Sequence, residues 1–112
     1  MEYQHKTLAA GRWQGFSFFK QMANVGSEVS RALNWQKKNP DFSRAATDRV
    51  LELLDLTIAD NKNHKHGKEL WRIREAIVDF FYFDNQFGSS ESSWRQYFDA
   101  FAYAANLNPL EV

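Results

Sequence analysis

Four carboxylates carry the spacing most suggestive of chemistry: Glu52 and Asp55 in "ELLD", and Glu75 and Asp79 in "EAIVD". On a helix, residues three or four apart share a face, and clustered carboxylates there can hold magnesium against a phosphate ester. Helical wheels turn all four away from the apolar seams given below, which is the ordinary position of a solvated charged face. His64 and His66 flank Lys65 in "NHKHGK", and the neighbouring ammonium groups oppose a bound cation, so no metal site is expected. The serines of "GSSESS" lack a Gly-x-Ser-x-Gly elbow, and no phosphate-binding loop or dinucleotide fingerprint occurs. Cysteine is absent, which excludes disulfides and thiolate chemistry. No catalytic residue is assigned and no cofactor is expected.

A second chemistry is electrostatic. Residues 61–74 hold Lys62, Lys65, Lys68, Arg72 and Arg74 against Glu69 alone, whereas residues 75–112 hold only Arg95 against six acids. Lys62, Lys65, Lys68 and Arg72 stand at the start of a helix, where free N–H groups also attract anions, and form a candidate phosphate patch. A formal net charge of zero argues against a dedicated nucleic-acid binder.

The elements that must position these groups read as helices throughout. After Ser17, a candidate N-cap, Phe18, Met22, Val25, Val29 and Ala32 recur in steps of four and three to about Gln36. Gly26 in mid-helix costs about 1 kcal/mol against Ala, so its use is close approach of a neighbouring helix. Asn39, Pro40 and Asp41 start a second helix with Ala46, Val50, Leu53, Leu54 and Thr57 on its seam, ending near Asp60. "NKNHKHG" reads as a polar connection broken by Gly67. A third helix spans about Lys68 to Phe83, on Leu70, Ile73 and Ile77. A fourth, capped by Ser89 or Ser90, buries Trp94, Phe98 and Phe101, and ends with a left-handed Asn106 before Pro109. The expected fold is all-α, an up-down-up-down four-helix bundle over residues 17–106. Residues 1–16 form an irregular arm whose Leu8, Trp13 and Phe16 pack on the body, and residues 107–112 form a tail. At 112 residues this is one domain, and no apolar run approaches membrane-spanning length, so a cytoplasmic protein is expected.

Aromatic residues crowd the third and fourth helices. Phe80, Phe81, Trp94, Phe98 and Phe101 fall at core spacing. Trp71, Val78 and Tyr82 lie within about 40° of one another, opposite the Leu70–Ile73–Ile77 seam, so the third helix is apolar on two faces. That second face is expected to be covered by the N-terminal arm, by another copy or by a partner protein; some of Trp71, Tyr82, Phe83, Phe87, Tyr97 and Tyr103 should make an interface, and a homodimer is favoured. Glu28, Arg74 and Asp84 are the polar residues nearest the core faces, with Glu28 and Arg74 expected as a buried ion pair.

The segments "QMANVGSEVSRA", "RVLELLDLTIAD", "KELWRIREAIVDFF" and "SSWRQYFDAFAYAAN" resemble a family of short prokaryotic all-helical proteins with no known activity. That resemblance covers about residues 12–106 and brings no functional residue with it. More distantly the chain resembles HEPN-type proteins, whose active members carry Arg followed after four to six residues by His; no Arg precedes a His at that spacing here. The carboxylate spacing is also similar to that of the all-α, magnesium-dependent nucleotide pyrophosphohydrolases. The function expected from these readings is a non-enzymatic binding or assembly module that self-associates. The alternatives are an RNA- or nucleotide-contacting bundle and a magnesium-dependent hydrolase built on Glu52, Asp55, Glu75 and Asp79.

Overall fold

The computed structural model describes residues 11–107, and over these the protein is all-helical with four long helices and no strand. A helical turn at residues 11–14 leads into α1 (Phe18–Trp35) and α2 (Pro40–Ala59). A short 3-10 helix (Asn61–His66) follows, then α3 (Gly67–Tyr82) and α4 (Glu91–Asn106). None of these helices is long and apolar enough to cross a membrane.

The sequence punctuation explains most of the ends. Ser17 accepts the Lys20 N–H at 3.1 Å, and Asn39 accepts that of Phe42 ahead of Pro40 and Asp41. Ser90 and Ser93 close a reciprocal capping box at the start of α4. Three local expectations change. "NKNHKH" is wound into a 3-10 helix rather than a loop, because Asp60 accepts the Lys62 N–H and Asn63 turns inward to the Thr57 carbonyl. Gly67 does not break the chain; it is right-handed and opens α3. α4 runs through Asn106, and its cap is a right-handed Leu107 whose N–H still reaches the Tyr103 carbonyl at 3.1 Å.

α1 packs against both α2 and α4, and α2 packs also against α3. Neighbouring helices meet in opposed chain order. Trp35 touches Phe42 while Gln21 reaches Asp60; Asn34 meets Arg95 while Phe18 meets Phe101. Likewise Asp48 meets Tyr82 and Asp55 meets Arg74, and Phe80 meets Trp94 while Glu69 meets Tyr97. The core is Met22, Val25, Val29 and Leu33 from α1, Val50, Leu53 and Leu54 from α2, Leu70 and Ile77 from α3, and Trp94 and Phe98 from α4. Large rings span the gap between α3 and α4, where Phe80 meets Phe81 edge-on at 4.9 Å and Trp94 at 6.3 Å.

Of the residues expected in the arm, Trp13 is buried, and its indole N–H donates to the Thr57 hydroxyl at 2.9 Å. Phe16 packs half-buried on the same core, but residues 11–14 are helical rather than irregular. Leu8 and the tail beyond Leu107 lie outside the described residues.

Candidate functional site

The outer side of α3 divides into two parts. Tyr82 is half-buried against α2: its hydroxyl donates to Asp48 Oδ1 at 2.6 Å, and the Arg44 guanidinium lies over its ring at 5.0 Å. Burial, reinforced by the Asp48 hydrogen bond and charge, pushes the phenol up to about 12. Tyr82 is thus committed within the chain. Trp71 is not, with 52% of its surface exposed, and Val78 is half-buried between them.

The loop after α3 extends the exposed part. Phe83 is 72% exposed and Phe87 60%, although the loop that carries them is tightly pinned. The Asp79 carboxylate accepts the N–H groups of Gln86 and Phe87 at 2.9 and 3.0 Å. Asn85, left-handed at φ 54°, clamps Ser89 through both ends of its amide. Gly88 sits at φ 69°, a conformation that strains any residue with a Cβ, and donates to the Asn85 carbonyl at 3.0 Å. The result is an open groove lined by the apolar Val78, Phe83 and Phe87, by the acids Glu75, Asp79 and Asp84, and by Gln86 and the Asp55-paired Arg74.

Tyr97, grouped with the interface candidates on sequence, is also spent internally. It packs edge-on against Phe98 and Phe101, and its hydroxyl donates to Glu69 Oε2 at 2.6 Å. Burial above all, then the Glu69 hydrogen bond and charge, raises its pKa well above the usual phenol range. Tyr103 stays exposed at the far end of α4.

The three polar candidates do not assemble. Arg74 grips Asp55 of α2 with Nε at 2.7 Å and Nη2 at 3.2 Å, a two-point contact across the α2–α3 seam. Glu28 instead faces Arg31 on its own helix at 3.7 Å, and Asp84 is exposed. The expected Glu28–Arg74 pair fails because α2, which packs on both α1 and α3, supplies a nearer carboxylate to Arg74.

The buried polar cluster lies elsewhere and escaped the sequence reading. Gln21, fully buried in α1, donates through Nε2 to the Trp13 carbonyl and to Asp60 Oδ2, both at 2.9 Å, and accepts from Asn63 Nδ2 at 2.7 Å. Burial alone would raise the Asp60 carboxyl, but hydrogen bonds from Lys62 and Gln21, together with the Lys62 charge, hold it below its ordinary value. This cluster ties residues 13–21 to the end of α2.

The hydrolase carboxylates are dispersed. Glu52 is buried rather than solvated, since α2 is covered on two sides; Asp55 holds Arg74, Asp79 holds the loop, and Glu75 is exposed. Among the described residues no group of three or more His, Asp and Glu side chains could hold a metal ion.

The basic patch is also reduced. Lys62 Nζ is bound to the Asp60 carboxylate and to the Gln14 carbonyl, leaving Lys65, Lys68 and Arg72 exposed. The start of α3 is not an open anion site, because the 3-10 helix runs straight into it and the Gly67 N–H is taken by the His64 carbonyl. His66 stacks on Phe18 at 3.9 Å with the ring planes nearly parallel, and its Nδ1 lies 3.8 Å from Glu69.

No protein family, curated protein or solved structure matches this chain.

Proposed function

We propose that this protein is an up-down-up-down four-helix bundle that works by self-association, an assembly or binding module rather than an enzyme. The setting we propose for it is the cytoplasm, in keeping with helices too short or too polar to cross a membrane, of a prokaryotic cell, the source that the sequence resemblance implies. The observation that carries the reading is the exposure of Phe83 and Phe87 at one groove beyond the end of α3, with Trp71 exposed further back along the same helix. Scattered apolar residues on a surface need no explanation, but large rings gathered around one groove mark an interaction site. A loop meant only to reverse the chain has no need of two exposed phenylalanines. Here its backbone is held by Asp79, Asn85 and Gly88, so the rings are presented without the ordering cost that weakens association by mobile segments.

The test is the double variant Trp71→Glu with Phe87→Glu, followed by mass in solution. Both side chains are exposed, so the fold and its helix content should persist while the wild-type assembly dissociates to monomers. An unchanged mass would overturn the reading.

A further inference from the structure

Charge is sorted along the exposed side of α3. Lys68 and Arg72 lie in its first half, Glu75 follows within a turn, and Asp84 lies just beyond its end. All four are exposed, and none is ion-paired among the described residues. The other charges on this helix are already engaged: Arg74 by Asp55, Asp79 by two loop amides, and Glu69 by the Tyr97 hydroxyl. The free charges on this side are therefore basic toward the N-terminus and acidic toward the C-terminus.

Resting on the self-association reading above, we propose that two copies pair antiparallel along α3. Each Trp71 seats in the groove of the other copy beside its Val78 and Phe83, and Lys68 and Arg72 face its Glu75 and Asp84. A two-fold interface must be self-complementary, and the charge order selects how. Antiparallel helices bring Lys68 of each copy toward Asp84 of the other and Arg72 toward the other's Glu75, which lies near the two-fold axis; parallel helices would superpose like charges.

The dimensions agree. Trp71 and Val78 are seven residues apart, about 10 Å along the helix axis, so one two-fold axis passing midway, near Arg74 and Glu75, lets both tryptophans seat at once. On the wheel Trp71 and Val78 lie about 20° apart and Glu75 about 40° from Trp71, so the ring, the groove and its acids share one side of α3. Tryptophan suits the role chemically as well. Its ring packs on Val78, Phe83 and Phe87, and its N–H needs an acceptor, which the groove carboxylates provide.

Two charge-reversed chains test the pairing. Lys68→Glu with Arg72→Glu makes the outer side acidic throughout, and Glu75→Lys with Asp84→Lys makes it basic throughout. Each variant alone should self-associate at least about tenfold more weakly than wild type at low salt. Mixed in equal amounts, the two should recover association as heterodimers, because each restores the opposite charge that the other lacks; native mass spectrometry distinguishes them by mass. Variants that associate as wild type does, or that stay monomeric when mixed, would overturn the antiparallel pairing and leave self-association standing. A wild-type chain that is monomeric at every concentration would overturn both.

Discussion

Gly26 of α1 lies directly against Phe98 of α4: a Cβ added to the glycine would stand 2.6 Å from the Phe98 Cβ and 3.0 Å from its Cγ. The nearest atom belongs to the root of a buried side chain, so relief requires α1 and α4 to part. Gly26→Ala should therefore destabilise the protein by about 1–3 kcal/mol, even though Ala is favoured over Gly in a helix by about 1 kcal/mol. Urea unfolding followed by circular dichroism measures the difference, and a stabilised variant would show that this contact is not tight.

Gln21 serves three partners from a fully buried position. Gln21→Leu keeps the volume roughly constant but removes one buried hydrogen bond from each of the Trp13 carbonyl, Asp60 and the Asn63 amide. A loss of about 2–4 kcal/mol is expected in the same unfolding assay, well beyond that of an exposed substitution. A near-neutral result would mean that the cluster is replaceable by apolar packing.

Asp60 gives the fold an acid limit. Its folded-state carboxyl titrates below the ordinary 3.8, so it contributes stability that is present above that value and lost as pH falls through the lower, folded one. Asp60→Asn should be less stable at neutral pH and should show a shallower fall in stability as the solution is acidified through and below the ordinary carboxyl value. Parallel curves for the two proteins would remove Asp60 as the cause.

Much of the architecture could be read from punctuation. Ser17, Asn39–Pro40 and Ser90 start helices because each offers a side-chain oxygen, or a fixed φ, at a position where no other element competes for it. Gly26 was legible because mid-helix glycine has few other uses, and Trp71 because it opposes its own seam. What stayed hidden depends on how helices are aligned with one another. Nothing local to Asn63 announces that it turns inward to Gln21, 42 residues away. Nor does Tyr82 reveal that Asp48 receives its hydroxyl, or Arg74 that its partner is Asp55 rather than Glu28. Asp79 looked like one more solvated acid on a helix, and its service to the loop appears only once the chain has turned back.

That service yields a further prediction. Asp79→Ala removes the acceptor of the Gln86 and Phe87 amides while leaving the core intact. Hydrogen exchange at those two amides should quicken with little change in global stability, and self-association should weaken by about 1 kcal/mol as Phe83 and Phe87 lose their fixed presentation. Undiminished association would mean that the loop is not part of the interface.

The most direct test of the account is light scattering on a sizing column over a range of protein concentrations. Self-association through α3 predicts a mass rising toward twice the 13.1 kDa of the chain, and a return to that single-chain mass in the Trp71→Glu, Phe87→Glu variant. A wild-type mass fixed at one chain, even at the highest concentration, would contradict it.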